Sequence, residues 1–224
     1  MKTLWLAGAT GLVGNLCLEA LLADPAVGTV VAVGRRAPGQ AHPKLRFVAT
    51  ERFDDLAAAM QRDRPDAVLC ALGTTIKKAG SQAAFREVDS IYPQRLAQAA
   101  KAAGVGVFGV VTAVGASARS RVFYNRVKGE LEEALAALQL PTVHVLHPSL
   151  LLGARAESRP AERLGSVFAG LWRLVCVGPW RNYCPIQAEC VARALAHVAH
   201  DARPGWHVYE GAALERMGDG ARRE

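Results

Sequence analysis

Tyr124 and Lys128 stand four residues apart, a spacing that sets a phenol and an ammonium on one face of a helix. An isolated tyrosine holds its proton too tightly for acid–base work near neutral pH. A neighbouring lysine charge stabilises the phenolate and lowers such a pKa, typically by about 1–3 units, into the range where the group can exchange a proton with a substrate oxygen. The pair therefore predicts a catalytic centre in which Lys128 tunes Tyr124. A hydroxyl at the end of the preceding strand would hold the reacting oxygen. Thr112 is the first candidate, with Ser117 and Ser120 on the following loop as substitutes. Surface helices produce this pair by chance, so its meaning depends on what lies upstream.

Upstream lies Gly8-Ala9-Thr10-Gly11-Leu12-Val13-Gly14, between an apolar strand-like run and a helix-like one. Glycines belong there because the chain must turn sharply from strand to helix, and because a Cβ would block a pyrophosphate from the backbone. The unpaired N–H groups and positive end of the helix then face the anion. Gly8, Thr10, Gly11, Leu12, Val13 and Gly14 are accordingly predicted to bind a dinucleotide. After the second strand, where an acid would take the ribose 2′-hydroxyl of NAD, stand Arg35 and Arg36. A guanidinium makes charge-assisted, bidentate bonds to a 2′-phosphate, which a carboxylate would repel, so NADP(H) is the expected cofactor.

These residues need a scaffold, and the apolar pattern supplies one. Strand-like runs recur at Thr3–Ala7, Thr29–Val33, Leu45–Ala49, Ala67–Leu72, Val105–Thr112 and Thr142–His147. They alternate with helix-like segments at Leu12–Ala23, Asp54–Arg62, Gln82–Ala103 and Val122–Gln139. Most strands are apolar on both faces, as strands covered by helices on both sides must be. The expected fold is α/β, a doubly wound parallel sheet of the NAD(P)-binding Rossmann type. Residues 1–224 are expected to form one domain: 1–147 the cofactor-binding core, 148–224 a small substrate-side cap and tail. Within the latter we expect helices near Pro160–Val175 and Ala188–His200, a strand at Trp206–Tyr209, and a frayed tail from Met217 to Glu224.

Composition narrows the function further. The chain has 224 residues and a formal net charge of +7, but its basic residues are scattered and the longest basic runs are pairs such as Lys77-Lys78. Nucleic-acid binders concentrate theirs in a stripe with aromatics, so nucleic acid is not an expected partner and a small-molecule substrate is. The five cysteines include no C-x-x-C pair and are expected to be buried free thiols in a reducing compartment. The six histidines lack the companions a metal would need, and no metal is expected. The apolar opening from Met1 to Ala23 has the look of a signal peptide, but Gly8, Gly11, Gly14 and Glu19 interrupt it. No run reaches the roughly 20 apolar residues of a membrane span. A cytoplasmic protein is expected, with a homodimer or a protein partner left open.

With these residues in view, the chain resembles the atypical short-chain dehydrogenase/reductases, in the branch of the Tat-interacting tumour suppressor and its bacterial relatives. The resemblance runs from Leu4 to about Ala196. It rests on the glycine segment, on Cys70-Ala-Leu-Gly-Thr-Thr75 with Lys78-Ala-Gly80, and on Phe123-Tyr-Asn-Arg-Val-Lys-Gly-Glu130. His147-Pro-Ser-Leu-Leu-Leu-Gly153 and Glu157-Ser-Arg-Pro160 extend it. The resemblance implies that Leu72, Gly73 and Thr74 line the cofactor's ribose side and that Tyr124 and Lys128 contact the nicotinamide ribose. It further implies that Pro148, Ser149 and Leu150 back the nicotinamide ring. Relatives carry serine where this chain has Thr112, so the hydroxyl is kept and a methyl group added. The leading expectation is an NADP(H)-dependent oxidoreductase on a small carbonyl compound. The alternatives are an NADPH-sensing regulatory protein without turnover and, ranked third, a nucleotide-sugar epimerase or dehydratase.

Overall fold

The computed structural model describes residues 1–152 and 184–220. The helix expected near 160–175 and the last four residues lie outside them. Seven strands form one sheet: β1 (Lys2–Ala7), β2 (Val27–Gly34), β3 (Leu45–Ala49), β4 (Ala67–Cys70), β5 (Val107–Val111), β6 (Thr142–His147) and β9 (Gly205–Glu210). Their order is β3-β2-β1-β4-β5-β6-β9, and every neighbouring pair is parallel. A short second ladder pairs β7 (Leu151–Leu152) with β8 (Ile186–Gln187). The doubly wound parallel sheet is thus as expected from the sequence.

Both faces of the sheet are covered, which is why the central strands are apolar throughout. On one face, Leu4, Leu6, Val30 and Leu69 pack against α1 (Leu12–Ala23) and α7 (Ala188–Val198), with Leu214 of α8 (Gly211–Gly220) behind them. On the other, Trp5, Val31, Val68, Phe108 and Val145 meet Met60 of α2 (Ala57–Asp63), Leu96 of α5 (Tyr92–Ala102) and Leu131 of α6 (Phe123–Ala137). α7 and β9 therefore build the same core as the first 147 residues. The Met217-to-Gly220 part of the expected tail is ordered instead as the end of α8. Gly218 lies so close to Cys190 that a Cβ there would stand 2.4 Å from its carbonyl oxygen, and Arg193 Nε donates to the Gly218 carbonyl at 2.6 Å.

The segment expected as one helix over 82–103 divides. α4 (Gln82–Arg86) is capped by Ser81, whose hydroxyl accepts the Ala84 N–H at 3.1 Å. A π-helical turn, Glu87–Ile91, follows before α5. Pro93 explains it: with no N–H and a ring that crowds the carbonyl four residues back, it forbids the regular ladder there, and Tyr92 N–H bonds to Glu87 instead. Before α4 sits a four-residue helix absent from the sequence reading, α3 (Ile76–Ala79), capped by Thr75 and closed by Gly80 in the left-handed region (φ 82°). Cys17, Cys70 and Cys190 are free and buried as expected, whereas Cys184 is disulfide-bonded, which corrects the expectation of five free thiols.

At the end of β6, His147 is clamped between two carboxylates: Nε2 lies 2.8 Å from Glu132 Oε1 on α6 and Nδ1 2.9 Å from Glu210 Oε1 on β9. A carboxylate only accepts, so this clamp favours a ring protonated on both nitrogens, an imidazolium. Burial alone would lower its pKa, but the bonds and charges of Glu132 and Glu210 together outweigh that and raise it above 6.5. A folded-state pKa above the unfolded one stabilises the fold fully below the unfolded value and is lost as pH rises through the folded value. Urea melts should therefore show stability declining above pH 6.5, and His147→Gln should flatten that slope. An unchanged slope in the variant would place the titration elsewhere.

Candidate functional site

The register aligns Val48, Val33, Ala7, Cys70, Val110, Val145 and Val208 across the seven strands. Just beyond that line the chain leaves each strand at its carboxyl end. There it places Gly8, Arg35, Leu72, Thr112 and Pro148 along one edge. The strand order reverses between β1 and β4, the position where open α/β sheets leave a crevice for a ligand.

Gly8 turns the chain with φ 87°, and its carbonyl accepts the Gly11 N–H at 2.9 Å. A Cβ on Gly8 would lie 2.5 Å from the Ala71 carbonyl oxygen, and one on Gly14 only 2.0 Å from that of Gly8. α1 has no side-chain cap and no acid in its first turn. The N–H groups of Leu12, Val13 and Gly14 are thus the orphan donors of a helix start, with exposed Thr10 and Gly11 above them. Arg35 and Arg36, exposed past the end of β2, form no ion pair among the described residues. This turn fits the pyrophosphate of a dinucleotide, and the two guanidinium groups are free to meet a further phosphate.

On α6, Lys128 is buried with its Nζ 2.8 Å from Asp89 Oδ1, at side-chain exposures of 3% and 1%. The sequence reading missed Asp89. It sits in the π turn and also accepts the Thr74 N–H at 2.8 Å, so it ties the Leu72-Gly73-Thr74 segment to α6. A signal was present: Phe85, Asp89, Tyr92 and Leu96 share the apolar stripe of that helix, and a carboxylate in such a stripe needs a partner. Burial pulls the Lys128 pKa down, but Asp89 together with Tyr124 and Cys70 outweighs that and raises it. Tyr124 behaves contrary to the sequence reasoning. Its burial raises the phenol pKa, Lys128 lowers it by less, and Asp89 raises it again. The tyrosine ring is set by Phe85, 5.7 Å away between centroids.

Thr112 is buried at 3% exposure, and its Oγ1 has no hydrogen-bond partner. Its backbone N–H bonds to the Leu146 carbonyl at 2.9 Å, one residue past the end of β5. The substitutes are already engaged: Ser117 Oγ accepts from Arg119 N–H at 3.3 Å and Ser120 Oγ from Val122 N–H at 3.2 Å. Gly129 holds this loop against α6 so closely that a Cβ would stand 2.1 Å from the Ser117 carbonyl carbon. Pro148 is buried and its carbonyl accepts Val114 N–H at 3.1 Å. Ser149 Oγ donates to the Cys184 carbonyl, and Leu150 is 70% exposed. The Thr112 hydroxyl, half-buried Tyr124 and the buried Lys128–Asp89 pair thus lie on elements that leave the same end of the sheet as the glycine turn.

Comparison with known proteins defines the class. A family model described as NAD(P)H-binding matches residues 8–145, and the chain belongs to that family, among the atypical short-chain dehydrogenase/reductases. Protein fmp52, mitochondrial, of Aspergillus fumigatus is 33% identical over 211 residues, covering 92% of this chain and 90% of its own. Protein HTATIP2 of Rattus norvegicus is 34% identical over 181 residues, covering 75% and 71%. Among solved structures, the Bordetella bronchiseptica enzyme WbmH in complex with NAD+ superposes with a TM-score of 0.67 at 19% identity, over 98% of this chain and 79% of that one. That last likeness is one of fold. The relatives also correct the sequence reading on location: the fungal proteins are named mitochondrial, and the expectation of a cytoplasmic protein does not stand. No helix among the described residues is long and apolar enough to cross a membrane.

Proposed function

We propose that this chain is an NADP(H)-dependent oxidoreductase acting on a small carbonyl compound. The observation that carries the reading is the buried, unpartnered Thr112 hydroxyl on the same sheet edge as Tyr124, Lys128 and the glycine turn. In this reading residues 1–224 act as one unit, with the stretch that begins at residue 148 closing the substrate side before the chain returns to the core at α7 and β9. Gly8, Thr10, Gly11, Leu12, Val13 and Gly14 hold the pyrophosphate, and Arg35 and Arg36 grip the 2′-phosphate. Leu72, Gly73 and Thr74, with Pro148, Ser149 and Leu150, line the remaining length of the cofactor. The chemistry the dinucleotide supplies when bound is hydride to the carbonyl carbon. Thr112 Oγ1 orients the carbonyl oxygen, Tyr124 Oη delivers the proton to it, and Lys128 holds the ribose.

The test follows consumption of NADPH with a panel of aldehydes, ketones and quinones. Tyr124→Phe should lower turnover by about 10²–10⁴-fold, the usual worth of a positioned acid. The double change Arg35→Ala/Arg36→Ala should cut the preference for NADPH over NADH by about ten- to a hundredfold, as loss of charge-assisted bonds would. Full turnover in the tyrosine variant would sink the assignment.

One observation favours a second reading, a dinucleotide-sensing protein without turnover. Asp89 already neutralises Lys128, and the Tyr124 phenol is held above its ordinary range by burial. Tight NADPH binding in a calorimeter, with no substrate turned over anywhere in the panel, would select it.

A further inference from the structure

Three loops leave the carboxyl ends of β4, β5 and β6 around the site: residues 71–81, 112–122 and 148–150. They carry four cations, Lys77, Lys78, Arg119 and Arg121, and no aspartate or glutamate. All four side chains are exposed, and none has an ion-pair or hydrogen-bond partner among the described residues. Many cations elsewhere are matched: Arg46 by Asp63, Arg86 by Glu130, Arg95 by Asp54 and Arg203 by Asp201. The same loops also present large apolar groups to solvent. Ile76 is 44% exposed, Val122 59% and Leu150 70%.

These loops are fastened to the site. The Thr74 N–H that bonds Asp89 lies two residues before Ile76. Ser117 N–H bonds to the Asn125 carbonyl at 3.0 Å, and Arg126 Nη1 donates to the Ser120 carbonyl at 2.9 Å, so the arginine loop is tied to the turn of α6 that bears Tyr124. Unmatched like charges repel, and exposed apolar groups contribute nothing to folding. Carried on loops that leave one end of the sheet, they suit a ligand with an acidic end and an apolar body.

We propose that the site takes an anionic amphiphile: a carbonyl compound whose chain lies along Ile76, Val122 and Leu150 and whose carboxylate or phosphate meets the lysines and arginines of the first two loops. The carbonyl part rests on the oxidoreductase reading, whereas the preference for an anion does not. The experiment titrates the whole chain, saturated with NADPH, with decanoate and with decanol in a calorimeter. Decanoate should bind at least about tenfold more tightly, the summed worth of several exposed charge pairs, and the gap should close as salt is raised. Lys77→Glu/Lys78→Glu and Arg119→Glu/Arg121→Glu should each narrow it several-fold. Equal affinities, or a preference that survives both double variants, overturns the proposal. So does binding to vesicles of phosphatidylglycerol without binding of decanoate, which would make the rim a membrane-docking surface. Absence of turnover on every carbonyl would count against the oxidoreductase reading alone, because the binding comparison needs no reaction.

Discussion

Replacing Asp89 by asparagine is expected to cost about 3–5 kcal/mol of folding stability, the usual penalty for removing one partner of a buried ion pair. The side chains of Lys128 and Asp89 are almost wholly shielded from water. The asparagine amide keeps the shape and can still accept the Thr74 N–H, but it leaves the ammonium uncompensated at the end of β4. For a domain of this size the loss corresponds to a fall in Tm of about 10 °C. Lys128→Met should be comparably damaging by stranding the carboxylate. The double variant should recover part of the loss, because no lone charge remains, so the two effects are far from additive. Dinucleotide affinity gives a second readout: in Asp89→Asn the Leu72-Gly73-Thr74 segment keeps its bond but Lys128 loses its anchor. Wild-type melting of Asp89→Asn would show that the lysine finds water or another acceptor, and the account of the cluster would fail.

That cluster also marks where sequence reasoning stopped. Strands such as Val30–Val33 and Ala67–Cys70 were visible because a sheet covered on both faces needs apolar residues at every position. The glycine turn was visible because strand, turn and helix each leave a local signature. Asp89 stood out only as a carboxylate in an apolar stripe; its partner was not legible, because Lys128 lies 39 positions later in the chain and the π turn that aims Asp89 was hinted at only by Pro93. The direction of the Tyr124 shift was misjudged for a related reason. The lysine was evident from the spacing, while the burial and the second carboxylate that outweigh it are products of packing. α3 escaped because four residues carry no periodicity, although Thr75 and Gly80 mark both of its ends. Contacts within one turn of chain could be inferred; contacts made by the sheet bringing distant segments to one edge could not.

The glycines of the turn separate folding from binding. At Gly14 a Cβ would sit 2.0 Å from the carbonyl oxygen of Gly8 and 2.6 Å from its carbon, so the obstacle is backbone that cannot rotate away. Gly14→Ala should therefore displace the start of α1 from the turn, destabilising the protein by about 3 kcal/mol or more and abolishing dinucleotide binding with it. At Gly11 the nearest atom is the same carbonyl oxygen at 3.3 Å, and φ is −84°, a conformation any residue adopts. Gly11→Ala should leave stability within about 1 kcal/mol, since exchanging glycine for alanine at a helix start changes little else. The added methyl group instead intrudes where the backbone must come close to a pyrophosphate, and NADPH affinity should fall by about tenfold or more. Melting curves and fluorescence titration of the two variants distinguish these outcomes. If Gly11→Ala binds NADPH as the wild type does, the phosphates do not rest on this turn, and the unpaired N–H groups of α1 must face something else.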